Sequence, residues 1–343
     1  MKPYKQAIWA LALLAACDGN PFLVPGDPVD PLPDPGTGID GDRVLPPGTT
    51  SPSRDRSIFR REAKDDTGNG YVTGVSYNNA NGEDEFTVDG LAFDGGNVYQ
   101  RSAPPVASMG PFAVYEADAV YDDDVTGAPI NQFTHRAIYG VSATGGTRFA
   151  VVRTGAYTDY GFGGFVYQRE GSVTLPTTGQ AQYNGDYAAL RDFQGRGGME
   201  FATGKMQIKI DFNDFNDGAG VSGVVYDRAI FDLNGNDITA DVLLALNDKL
   251  EANESTLPVL TFTVGPDVMD ANGEIVGLLG SSVTTTSAAE KYETGNYYAI
   301  VSGDATAGGL DEIVGIIVVE SEDPRIDGVT VRETGGFILY RNQ

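Results

Sequence analysis

Apolar and polar residues alternate with period two along much of this chain, in short runs. Met206-Gln207-Ile208-Lys209-Ile210-Asp211-Phe212 is the clearest case. Such a run predicts a strand with one buried face. In residues 54–175 similar runs cover 84–93, 112–121, 134–141, 147–154 and 163–169. In residues 176–343 they cover 179–189, 198–202, 205–212, 222–231, 259–264, 274–279, 296–302, 312–320 and 329–341. Ile313 to Val319 is almost continuously apolar, which predicts a strand buried on both faces. Gly95-Gly96 beside Asn97, Gly145-Gly146 and Thr154-Gly155 punctuate the first region at hairpin spacing. Helical periodicity occurs once, over 238–251, where Val242, Leu243, Leu246 and Leu250 share a face and Thr239 is a candidate cap.

The pattern predicts an all-β fold. Eight or so antiparallel strands in the C-terminal half hide their edges by closing into an up-and-down barrel. A two-sheet sandwich is the alternative.

The first 53 residues follow other rules. Lys2 and Lys5 precede ten apolar residues, 7–16, that end in Leu14-Ala15-Ala16-Cys17. Ten is too few to span a bilayer, which takes about 20, and fits a secretory signal. The ending resembles a bacterial lipobox. That resemblance implies cleavage before Cys17 and lipid on its sulfur. Two or three acyl chains hold a protein on a membrane stably. Cys17 is the only cysteine, so no disulfide can form. From 18 to 53 proline recurs, at Pro21, Pro25, Pro28, Pro31, Pro33, Pro35, Pro46, Pro47 and Pro52. This predicts a disordered stalk that reaches roughly 100 Å at about 3.1 Å per residue.

Charge narrows the partners. With 48 acidic and 23 basic residues the formal net charge is −25. Such a surface repels nucleic acid and anionic headgroups. With 17 Tyr and 16 Phe the acidity does not signal disorder.

Little catalytic chemistry is on offer. The single histidine, His135, starts a predicted strand and is the one possible base for a Ser-His-Asp triad. No nucleophile elbow or Walker loop occurs. Acid clusters stand at Asp122-Asp123-Asp124, Glu83-Asp84-Glu85 and Asp211/Asp214/Asp217, as chance allows in so acidic a chain. Asp232, Asn234 and Asn236 alternate as calcium ligands do, but the twelfth position is Leu243, where a calcium loop places a bidentate Glu. An Asx-rich turn explains the spacing equally. The expected cofactor set is empty. Tyr157, Tyr160, Phe162, Phe165 and Tyr167, interleaved with glycines, read as strand packing or as an exposed binding tip.

Gly179-Gln180-Ala181-Gln182-Tyr183-Asn184-Gly185-Asp186-Tyr187 resembles the opening barrel strand of transferrin-binding protein B-like surface lipoproteins. Ile208 to Phe212 followed by Val221-Ser222-Gly223, then Gly295-Asn296-Tyr297-Tyr298 and Ile313 to Ile317, are similar to later strands of that family. The late strands depart from its Gly-Pro and Glu-Leu/Val-Gly-Gly patterns: here stand Ala299 to Gly303 and Asp311 to Gly315. The resemblance covers 175–343. It implies an eight-stranded barrel beside a smaller β-rich handle, which 54–175 would supply without a motif match. The expected organisation is therefore signal 1–16, lipidated Cys17 and stalk 17–53, handle-like domain 54–175 and barrel 176–343.

The resemblance also implies a non-enzymatic, lipid-anchored cell-envelope protein. It would capture a solute or protein for an outer-membrane partner such as a transporter. Asp18 resembles an inner-membrane retention signal of some bacteria, which sets the outer-membrane placement against an inner one. Two other classes stay open: a structural or adhesive surface lipoprotein, and a carboxylate-based hydrolase with paired acids. A concave pocket at a barrel mouth favours capture; a filled barrel favours the structural role.

Overall fold

Residues 38–39 and 43–342, apart from 80–83, 92–97, 124, 156–158, 215–217, 265–267 and 307–308, are described by a computed structural model. Cys17 and the stalk as far as residue 37 lie outside the described residues.

The first unit is one antiparallel sheet. Its strands are β1 (Ile58–Arg61), β2 (Gly74–Asn78), β3 (Glu85–Asp89), β4 (Val98–Arg101), β5 (Phe112–Glu116), β6 (Arg136–Val141), β7 (Thr147–Arg153) and β8 (Gly163–Arg169). They run in the order β1-β8-β7-β6-β5-β4-β3-β2. Residues 62–73 strap the gap between the edges β1 and β2. Glu62 N donates to Phe165 O, Tyr71 N to Gly163 O and Thr73 N to Asp89 O. The sheet is thus nearly closed around Phe86, Val88, Tyr99, Tyr115 and Val152. Phe86 stacks on Tyr115 with ring centres 4.8 Å apart.

The second unit is a closed barrel of eight antiparallel strands. These are β9 (Gln180–Gln194), β10 (Met199–Asp214), β11 (Gly218–Phe231), β12 (Leu260–Phe262), β13 (Glu274–Thr284), β14 (Ala289–Asp304), β15 (Asp311–Glu322) and β16 (Thr330–Arg341). Each pairs with its sequence neighbours, and β16 returns to β9. The β14–β15 ladder completes the ring, so the sandwich alternative is ruled out.

Period-two alternation sends alternate side chains to two cores. On β9, Tyr187 and Ala189 point into the barrel while Ala188 and Leu190 meet the first sheet. On β15, Ile313, Ile317 and Val319 fill the barrel while Val314 and Ile316 pack outward against Phe149, Val151 and Phe165. That is the physical basis of the continuous apolar run. The two units therefore share a wall of barrel.

The adjacent glycines of β16 show how tight both faces are. A Cβ on Gly335 would lie 2.4 Å from the Tyr187 ring inside the barrel. A Cβ on Gly336 would lie 2.1 Å from the Phe149 ring on the other side. Gly335→Ala is expected to cost about 1–3 kcal/mol by overpacking. Denaturant titration of the single and of the pair with Tyr187→Leu checks this. The pair should cost less than the sum of its members, because the two sites share one space.

Several expectations are corrected. Residues 45–49, placed in the stalk, are buried: Arg61 N donates to Pro47 O, and Arg60 Nη1 donates to the carbonyls of Pro46 and Thr49. Proline lacks a donor but keeps its acceptor, so this segment serves as an edge partner. The runs 198–202 and 205–212 are one strand, β10, with a register shift between Thr203 and Lys205. Strands β1 and β4 carry no clear alternation, and the brief one in β2, Val75 and Tyr77 against Ser76 and Asn78, is not among the predicted runs. The helix α1 (Thr239–Leu250) forms as expected, but Ile238 occupies the N-cap position without a side-chain bond. Thr239 Oγ1 instead accepts from Ile230 N at 2.9 Å, spending the hydroxyl on the end of β11.

Candidate functional site

The barrel interior is packed rather than hollow. Tyr183, Tyr187, Met206, Tyr297 and Phe337 fill its middle. Phe262 stacks on Tyr297 with ring centres 3.7 Å apart. One end holds a buried ionic network. Arg228 clamps Glu293 with bonds of 2.7 and 2.8 Å and also reaches Glu333 at 3.1 Å. Arg191 bonds Glu200 at 2.7 Å and lies 3.3 Å from Glu333. Burial alone would raise the Glu293 carboxyl, but the Arg228 guanidinium and the Ser281 hydroxyl hold it below the ordinary carboxylate range. Helix α1 follows β11 at this end and adds Val242 and Leu246 to the core.

The opposite rim is open, and there a cleft of about 470 Å³ forms against the first unit. Its walls come from the turn after β6 (Thr144, Gly146), from Glu170, and from the rim ends of β14, β15 and β16. Asp311 and Glu312 open β15 and, being consecutive, take opposite faces. Asp311 turns to the barrel, where it accepts from the Tyr183 hydroxyl and sits 3.4 Å from Arg341 Nη1. Burial pushes its carboxyl up, against Tyr183 and Arg341. Glu312 turns to the first unit. Its Oε1 accepts from Thr144 Oγ1 and Thr147 Oγ1, each at 2.9 Å. Tyr340 Oη accepts from Ala143 N at 2.9 Å. No sequence motif pointed to this cleft. Only the acidic pair Asp311-Glu312 at the head of an apolar strand marked it.

The residues singled out from sequence lie elsewhere. Asp232 Oδ1 accepts from the amides of Asn234 and Asn236, and Oδ2 from Asn236 Nδ2, all at 2.8 Å. Asp232 is thus the hub of an Asx-type turn, and donors already take both its oxygens. Among the described residues no group of three or more His, Cys, Asp or Glu is placed to hold a metal ion. His135 is buried, its Nδ1 3.0 Å from Phe133 O, and burial pushes the imidazole down. Tyr160, Phe165 and Tyr167 are buried and Phe162 packs edge-on against Tyr71, so these aromatics are packing. Tyr157 lies outside the described residues, as do Glu83, Asp124 and Asp217. Asp84 accepts from Arg101 and from the Tyr115 hydroxyl.

Comparison with known proteins returns distant structural likenesses. No family model matches the sequence, and no curated protein does. A crystal structure of transferrin binding protein B, a vaccine antigen of Haemophilus parasuis Hp5, in double-mutant form, aligns at TM-score 0.35 and 12% identity, over 72% of this chain and 39% of that one. A single mutant of the same antigen aligns at 0.33 and 11%, over 85% and 60%. A protein of unknown function from the DUF3598 family of Nostoc punctiforme aligns at 0.20 and 8%, over 82% and 87%. The chain thus spans less than two thirds of the length of either antigen structure.

Proposed function

We propose that this protein is a lipid-anchored binding protein of the cell envelope, held to the membrane through Cys17. Its ligand is captured at the open rim of the barrel, where the two units meet, and handed to an outer-membrane partner. The observation that carries this reading is the position of the cleft. The barrel is filled, so a ligand has no room inside it, while the rim cleft has the volume of a small-ligand site and brings polar groups together on a concave wall. Two packed β units supply those walls, as a scaffold does for binding residues. Asp311 and Glu312 point to opposite faces of one strand, so they do not form the facing pair that glycoside hydrolysis uses. The filled barrel itself favours a second reading, a structural or adhesive lipoprotein without a ligand.

The test is made on cells. Labelled palmitate should enter the protein and be lost in Cys17→Ser. Protease added to intact cells should then remove the wild-type protein. Removal only after permeabilising the outer membrane would reject surface capture, and label retained in Cys17→Ser would reject the anchor.

A further inference from the structure

One carboxylate at the rim is left half-satisfied. Glu312 is only 3% exposed. Its Oε1 holds two hydroxyl donors, while its Oε2 is buried with no hydrogen-bond partner. Among the described residues no cation pairs with it. Arg341, the basic residue lining the cleft, is committed to Ala305 O, Thr306 O and Asp311. A buried carboxylate needs charge compensation and donors for its lone pairs. The missing partner is therefore a donor from outside the fold, and a cationic one satisfies both demands at once.

The surroundings narrow its chemistry. A methyl placed on Gly146 would stand 3.0 Å from Thr144 Oγ1, 3.2 Å from Glu312 Oε1 and 3.7 Å from Ser302 Oγ. Three side-chain oxygens thus stand together on the Oε1 side of Glu312, at a spot that only a glycine leaves open. A metal ion would want more carboxylate or carbonyl ligands than this. An ammonium group, with three donors and no acceptor, suits a carboxylate oxygen that lacks a donor. Leu310, 70% exposed, and the Tyr340 ring flank the mouth and give an aliphatic stem an apolar wall.

We infer that the rim cleft binds a primary ammonium group carried on an aliphatic chain, with Glu312 as its counter-charge. The assignment rests on the proposed capture at the rim and names its ligand class. The ammonium belongs either to a small free amine or to a lysine side chain of a protein ligand.

Calorimetry on the full-length chain in detergent tests this, with pentylammonium and the peptide Gly-Lys-Gly as probes. The norleucine peptide and pentanol serve as neutral controls. The charged probes should bind and the neutral ones should not. Glu312→Gln keeps an acceptor for Thr144 and Thr147 and should weaken binding by roughly thirtyfold or more. Leu310→Arg, at an exposed position, should block the cleft with its own cation and leave the unfolding midpoint unchanged. Tighter binding of pentylammonium than of the peptide assigns a free amine; the reverse assigns a protein-borne lysine. Failure of both probes to bind, or equal binding by wild type and Glu312→Gln, overturns the inference, the second result marking attraction to a generally acidic surface. Neither outcome touches the anchor or surface exposure, which the cell experiment decides.

Discussion

Arg228→Met is expected to lower the stability of this protein by about 3–5 kcal/mol, the usual cost of breaking a buried ion pair from one side. The arginine is clamped by Glu293 and Glu333 inside the barrel and is shut off from water. Methionine fits the volume but leaves Glu293 buried without its clamp and Glu333 with Arg191 alone. The acid limb of the stability curve provides the second readout. The Glu293 carboxyl is held below its ordinary value of 4.5, so its contribution is whole above that value. It is lost as pH falls through the lower, folded value. Wild type should therefore lose stability on acidification, and Arg228→Met should lose less, since the group that lowers Glu293 is gone. Urea titrations at neutral and acid pH measure both effects. An unchanged midpoint at neutral pH would show that the network is not formed.

The second large effect belongs to the seam. Arg60, at the edge of the first unit, grips Glu274 of the barrel through bonds of 2.7 and 2.8 Å, and neither side chain is exposed at all. Its remaining donor reaches Pro46 and Thr49, so one guanidinium ties together the 45–49 segment, the first sheet and the barrel. Arg60→Met should cost about 3–5 kcal/mol, and the double change Arg60→Met with Glu274→Leu should recover most of it, because a buried pair replaced by apolar groups is often neutral. Hydrogen exchange should quicken at residues 45–49 and in β1 in the single mutant. A double mutant no more stable than the single would mean that the loss comes from packing rather than from an orphaned charge. Arg153 of the first unit, paired with Glu62 at 2.8 Å, also reaches Thr334 Oγ1 of the barrel at 3.2 Å, and Arg332 of the barrel, paired with Asp192 at 2.8 Å, also reaches Asn69 of the first unit, so two further guanidiniums cross the seam.

Much of this architecture was legible in the residue pattern. The barrel strands were, because alternation marks a strand with one face in a core and the other in water, and a continuous apolar run marks one between two cores. The run from Ile313 to Val319 announced a two-sided strand, and the shared wall is what it faces. Strands β1, β2 and β4 were not legible. The run Ile58-Phe59-Arg60-Arg61 is buried throughout, yet half of it is arginine, and burial by ion pairing leaves no hydrophobic period. Residues 45–49 were hidden by their prolines, whose accepting carbonyls the stalk reading overlooked. The cleft was the least legible feature. Its walls come from residues as distant as Thr144 and Arg341, and the unsatisfied oxygen of Glu312 exists only once the two units meet.

Ring closure also sets an order in time. The ladder between β9 and β16 joins residues 183–194 to residues 330–341, with six barrel strands between them in the sequence. Entropy resists so long a loop, although each doubling of its length adds only about 0.6 kcal/mol, and such distant pairings form slowly. A nascent chain arrested before Thr330 would hold β9 and β15 as bare edges, the kind of surface on which sheets from different molecules join. Delivery of β16 is therefore a condition for burying those edges, and the barrel is sealed by the last of its own eight strands to be made.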